Sequence, residues 1–116
     1  MSTTHVLART QNAACGPAIV HLRGELDIAT SDDLRSVLLA AGRANAWVCV
    51  DLSEVAFLDA SILDVLVAAD LACRALGGSL AVWNASSRQR RLFELCQLEG
   101  LLGEMATASE AVTSPP

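Results

Sequence analysis

The step Asp59-Ala60-Ser61 places a carboxylate and a hydroxyl two residues apart, directly before a run of apolar residues with helical spacing. Two kinds of chemistry fit those residue types. Asp59 can accept one of the orphan amides at a helix start. Ser61 can accept a phosphoryl group, which adds roughly 1.5 to 2 negative charges near neutral pH. Helix N-terminal amides tolerate that charge, whereas an acidic or apolar surface packed against them does not.

No rival constellation stands elsewhere. The chain has no glycine-rich phosphate loop, no metal-ligand spacing and no nucleophile paired with a base. An enzyme is therefore the weakest reading, and no metal or cofactor is expected. His5 and His21 are remote in sequence from each other and from acidic clusters, and His21 reads as a strand residue. Cys15, Cys49, Cys73 and Cys96 occur singly, three of them in apolar segments where a thiol packs as a small hydrophobe. That usage suits a reducing compartment.

The 116 residues suffice for one domain with a real core. Although 53% of them are hydrophobic, no run approaches the roughly 18 apolar residues of a spanning helix, and the start lacks a signal-peptide layout. A cytoplasmic protein without membrane insertion is expected. The net charge is −5, every basic residue is Arg, and there is no Tyr. Nucleic acid is thus a poor partner, since phosphate binding rests on basic patches. The cluster Arg88, Arg90, Arg91 reads as the solvated first turns of a helix. Nothing in the pattern fixes an oligomeric state.

The elements that must position Asp59 follow from periodicity. Val6 to Arg9 and the alternating Ala18 to Arg23 form an antiparallel hairpin, with a turn over Asn12 to Pro17 and a stop at Gly24. A helix begins at Thr30 or Ser31, carries Asp32 and Asp33 in its first turn, buries Leu34, Val37, Leu38 and Ala41, and ends at Gly42. Trp47 to Leu52 is a buried parallel strand, followed by a polar turn. Asp59 then caps a helix running to about Leu76 and closed by Gly77-Gly78. Ser79 to Trp83 is the next strand, and the Ser86-x-x-Gln89 capping box opens a helix ending near Cys96. Leu101-Leu102 offers an edge strand, and residues 106–116 form a tail with one helical turn at Ser109 to Val112.

Three segments in this order, Leu22-Arg23-Gly24-Glu25-Leu26-Asp27, then Val50-Asp51-Leu52-Ser53 with Phe57-Leu58-Asp59-Ala60-Ser61, then Gly77-Gly78 with Arg91-Leu92-Phe93-Glu94-Leu95, resemble the STAS domain of bacterial anti-sigma factor antagonists. The resemblance covers roughly residues 18–103. It implies a single α/β domain, taken as residues 1–105: a mixed, mostly parallel sheet of four or five strands with an antiparallel N-terminal hairpin, packed with three or four helices. It also implies a partner-switching module that binds an anti-sigma factor of the serine-kinase type, frees the sigma factor, and is turned off by phosphorylation.

The resemblance puts the phosphoacceptor immediately after Asp59, where this chain has Ala60, and puts a Gly where it has Ile62. Ser61 is the nearest hydroxyl, but one residue along a helix turns a side chain by about 100°. The expectation is a binder without the usual phosphorylation control, with Ser61 the phosphorylation candidate. Beyond capping, Asp59 is compatible with serving a kinase's metal or the acceptor hydroxyl. Glu25 and Asp27 fall on a loop that such domains present to partners. With Asp59, Ala60, Ser61, Ile62, Leu63, Asp64 and Val67 they make up the expected partner surface. On the second helix, Ile62, Val65, Leu66, Ala69, Cys73 and Leu76 should face the sheet. Leu63, Val67 and Leu71 form a line on the other side, rimmed by Asp64, Asp70 and Arg74, and either meet a partner or lie under a flanking helix. The alternative function is a non-switching STAS subunit of a larger assembly, such as a lipid-transport complex or a stressosome-like scaffold.

Overall fold

Along the central strands consecutive side chains are buried over part of the length, and those of one parity join the main core. The computed structural model describes residues 7–12 and 16–103. Four strands, β1 (Leu7–Asn12), β2 (Ala18–Leu26), β3 (Trp47–Leu58) and β4 (Ser79–Trp83), lie in the order β1-β2-β3-β4. The β1-β2 pair is antiparallel, and the β2-β3 and β3-β4 pairs are parallel. Ala18, Val20 and Leu22 of β2, Val48, Val50 and Leu52 of β3, and Leu80 and Val82 of β4 share one buried cluster. Ile19, Cys49 and Trp83 form a second, small cluster, as expected for residues of opposite parity on the other face.

The parallel pairs require crossovers, supplied by α1 (Ser31–Ala44) between β2 and β3 and by α2 (Ala60–Ala75) between β3 and β4. The two helices pack on each other. Leu34, Leu38 and Ala41 of α1, with Val37 half-buried, meet the same core as Ile62, Val65, Leu66, Ala69 and Cys73 of α2. A third helix, α3 (Ser87–Leu95), adds the fully buried Phe93. Its capping box is formed in both directions: Ser86 Oγ accepts from the Gln89 amide at 3.1 Å, and Gln89 Oε1 accepts from the Ser86 amide at 2.8 Å.

Several boundaries differ from the sequence expectation. Gly24 does not stop β2: it sits at φ +89° between two register shifts at which β3 carries the extra residue, and glycine's freedom lets β2 stay paired across them and continue to Leu26. Ser53-Glu54 is not a turn, because β3 runs on to Leu58. Gly42 does not end α1. It is buried, and a Cβ there would meet Cys73 Sγ at 3.6 Å, an ordinary van der Waals contact, so the position lies inside the α1-α2 packing and the helix runs through it. α1 ends two residues later, and Asn45 then donates to the Gly16 carbonyl at 2.6 Å and accepts from the Trp47 amide at 3.0 Å. Leu102 makes only an isolated parallel bridge to Val82. The expected tail at 106–116 with its turn at Ser109 to Val112, the strand start at Val6, His5 and Cys15 lie outside the described residues.

Two polar anchors hold the layers. Asp70, expected on a solvent rim, is buried on α2, where it accepts from the Leu80 amide at 2.9 Å and from Arg74 Nε at 2.8 Å. It fastens the end of α2 to the start of β4. Asp51, on β3, accepts from Asn84 Nδ2 at 2.9 Å, from the Ser53 amide at 3.0 Å and from Ser53 Oγ at 3.1 Å, and stands 2.7 Å from His21 Nδ1. His21, isolated in sequence, therefore pairs with an acid 30 residues away.

Candidate functional site

The N-terminus of α2 is fixed by the strands that lead to it. Glu25 lies in register with Phe57 and Leu26 with Leu58, and the Asp59 amide donates to the Leu26 carbonyl at 3.0 Å. That bond brings the end of β2, the following acidic loop and the first turn of α2 together where the two central strands finish. Asp59 is extended, at φ −100° and ψ 153°, and its Oδ1 accepts from the Ser61 amide at 2.6 Å. This is the N-cap geometry that the sequence supports. The Ser61 amide, with the nearby Ser61 hydroxyl, holds the Asp59 carboxyl below its ordinary pKa. The hydroxyl itself lies outside hydrogen-bond geometry, so the amide carries the effect.

The acidic loop has its own cap. Asp27 accepts from the Ala29 amide at 3.0 Å and exchanges bonds with Thr30, opening a short 3₁₀ turn, Ile28–Thr30, ahead of α1. Side-chain capping therefore falls to Asp27, while Thr30, the residue preceding α1, makes no side-chain cap to that helix. Glu25 is exposed and Asp27 half-buried.

At the start of α2 the two small residues differ in access. Ala60 is exposed. Ser61 Oγ is buried and has no hydrogen-bond partner among the described residues. Along α2, Asp64 is exposed and Val67 half-buried. Ile62 and Leu63 are 0% and 1% exposed, which corrects their placement on a contact surface and agrees with the sheet-facing side expected for Ile62: both are core residues. The line Leu63, Val67, Leu71 runs from the core to solvent, since α1 packs against α2 while Leu71 remains 62% exposed. Leu76, expected to face the sheet, is 61% exposed.

Two residues that sequence reasoning did not assign belong to this end. Phe57 is 52% exposed and Ile28 71% exposed, beside Glu25 and Asp27 respectively. The signal for Phe57 was the continued strand pattern past Ser53-Glu54. For Ile28 it was a lone large apolar residue in an acidic loop. Carboxylates and exposed apolar side chains around a helix N-terminus suit recognition of another surface. Among the described residues no group of three or more His, Cys, Asp or Glu could hold a metal ion. Burial pushes the Cys49 thiol up to about 12, leaving it a protonated packing group at neutral pH.

A mixed sheet with two parallel crossovers and a capped helix start beyond the end of a central strand defines a single α/β domain. Residues 10–103 match the family model described as "Mlab, STAS domain", and the chain belongs to the STAS domain family. It is similar to the anti-sigma-B factor antagonist of Bacillus subtilis (strain 168), with 29% identity over 93 residues, covering 80% of this chain and 85% of that protein. Its fold is that of the anti-sigma factor antagonist SpoIIAA in its unphosphorylated form, with a TM-score of 0.79 at 20% identity over 91% of this chain and 93% of the other. An anti-sigma factor antagonist from Mycobacterium paratuberculosis superposes with a TM-score of 0.76 at 24% identity, covering 95% and 93% of the two chains. No helix among the described residues is long and apolar enough to cross a membrane.

Proposed function

We propose that this protein is an anti-sigma factor antagonist that binds an anti-sigma factor of the serine-kinase type through the N-terminal end of α2 and is not switched off by phosphorylation there. The observation that carries this reading is the contrast at the helix start: the exposed position after Asp59 is Ala60, and the only neighbouring hydroxyl, Ser61 Oγ, is buried. The antagonist role draws on the similarity to the Bacillus subtilis protein. The contact surface comprises Glu25, Asp27, Asp59, Ala60, Asp64 and the outer edge of Val67, extended by Ile28 and Phe57. Ile62, Leu63 and Ser61 shape it from below.

The test is a binding titration against a serine-kinase-type anti-sigma factor from the same genome, with and without ATP, followed by intact-mass measurement. Expected are equal affinity in both conditions and no added phosphate. Stoichiometric phosphate on Ser61, with loss of binding, would overturn the reading. The second reading, a non-switching subunit of a lipid-transport complex or scaffold, draws on the same Ala60. Stable incorporation into such an assembly, with no affinity for the anti-sigma factor, would favour it.

A further inference from the structure

The helix α2 is apolar nearly all round. Of its 16 residues only Asp64, Asp70 and Arg74 are charged, and Asp70 is buried. A helix of that composition is ordinarily covered on every side, yet the described fold covers only one. Ile62, Val65, Leu66, Ala69 and Cys73 make up the buried side, and α1 approaches at Cys73, whose Sγ a Cβ on Gly42 would meet. The other side carries Asp64, Val67, Leu71 and Arg74, spaced i, i+3, i+7 and i+10, the spacing of a coiled-coil seam. Along it Asp64 is exposed, Val67 half-buried, Leu71 62% exposed and the Arg74 side chain 60% exposed.

This stripe is complementary to itself in reverse. A two-fold axis level with Ala69 turns α2 into an antiparallel copy that sets Asp64 against Arg74 and Val67 against Leu71, since both pairs are centred on that one residue. The result is an apolar centre with an ion pair at either end. Asp64 has no hydrogen-bond or ion-pair partner among the described residues. The Arg74 guanidinium makes one bond there, from Nε to Asp70 at 2.8 Å, so its Nη groups remain for a second carboxylate. Parallel copies would instead set Asp64 on Asp64 and Arg74 on Arg74, a juxtaposition of like charges that costs affinity.

We infer that a second copy of this chain docks on the outer stripe of α2, antiparallel to the first, with Val67 and Leu71 at the centre and Asp64 of each copy against Arg74 of the other. A lipid surface is disfavoured, because the stripe carries an acid and its one cation is already engaged by Asp70. The stripe is short, so the dimer is weak and forms at high protein concentration. It covers Asp64 and Val67, which also belong to the surface assigned to the anti-sigma factor. Self-association then competes with partner binding, a concentration-dependent restraint in a chain with Ala60 at the acceptor position. Only this last consequence rests on the antagonist reading, because the dimer is measured without any partner.

The first experiment is sedimentation equilibrium of the purified chain from about 5 to about 500 μM, the range in which a weak interface of this size is populated. The wild type should show a monomer-dimer equilibrium. Leu71→Asp, at a position the fold leaves exposed, should raise the dissociation constant at least about tenfold. Asp64→Arg, which sets Arg against Arg, should do the same, even though it reduces the net negative charge and with it the general repulsion between copies. Cross-linking then reads the register. The sequence contains no lysine, so Arg74→Lys keeps the charge and introduces a unique side-chain amine. Asp64 lies about 15 Å from that position along the helix, out of reach of a zero-length carbodiimide coupling within one chain. Covalent dimers should therefore carry an amide between Asp64 of one copy and the introduced lysine of the other, located by mass spectrometry of the digested dimer. A monomer throughout the range, either sedimentation variant dimerising as well as wild type, or covalent dimers joined only through other residues would each overturn the proposal. Since the antagonist reading is tested at concentrations where the chain is monomeric, the two can fail separately.

Discussion

The two ends of α2 use carboxylates in opposite ways. At the C-terminal end Asp70 is buried, and its oxygens are satisfied by the Leu80 amide and Arg74. At the N-terminal end Asp59 spends one oxygen on the Ser61 amide, while Asp64 is exposed and has no hydrogen-bond or ion-pair partner among the described residues. A buried carboxylate with fixed partners holds the fold, and its removal strands the donors it satisfied. An exposed one contributes little to stability and is available to a partner. One helix is thus fastened at one end and presented at the other.

This contrast can be broken at graded cost. Leu63→Ala, in the buried part of α2, should lower unfolding stability by about 2–5 kcal/mol in urea titrations. A loss below about 1 kcal/mol would mean that Leu63 is not the core residue described. Asp70→Ala should cost about 2–3 kcal/mol, because it leaves the Leu80 amide buried without its acceptor. Asp64→Ala should stay within about 0.5 kcal/mol. Equal effects of the two would erase the difference between the ends.

The end of α2 proposed to bind the partner should respond in affinity and not in stability. Phe57→Ala and Ala60→Asp should each weaken anti-sigma factor binding by at least about 1 kcal/mol, measured calorimetrically, with melting temperatures nearly unchanged. Unchanged affinity for both would move the partner to another face.

The smallest expected effect concerns acid. Burial pushes the Asp51 carboxyl up, but hydrogen bonds from Asn84, the Ser53 amide, His21 and the Ser53 hydroxyl outweigh it and hold the pKa below the ordinary value. A depressed folded pKa contributes stability that is fully present above the unfolded value, near pH 4, and is lost as pH falls through the folded one. Asp51→Asn should therefore be less stable than wild type at pH 7, with the gap narrowing below about pH 4. A gap independent of pH would show that the network depends on shape and not on charge.

Much of the fold is legible in the sequence because its signals are local. The Asp59 cap, the Ser86-Gln89 box, the crossover order and the buried face of α1 depend on spacing within a turn or two. The misread boundaries share one cause. Gly24, Gly42 and Ser53-Glu54 look like breaks by composition, yet a bulge, a helix contact and a continuing sheet ladder absorb them, and each of those depends on a neighbour distant in sequence. His21 and Asp51 were missed for the same reason: adjacent strands bring them together. At the candidate site the sequence identified Asp59, Ala60 and Ser61, but it assigned Ile62 and Leu63 to the surface and overlooked Phe57 and Ile28.

By itself the sequence determined that the position after Asp59 carries no hydroxyl, a matter of residue identity that no packing can alter. Only the tertiary structure decided that the Ser61 oxygen is buried. Whether a hydroxyl one residue along a helix meets solvent or core depends on what the strands and the neighbouring helices place over it, and here that packing buries the oxygen.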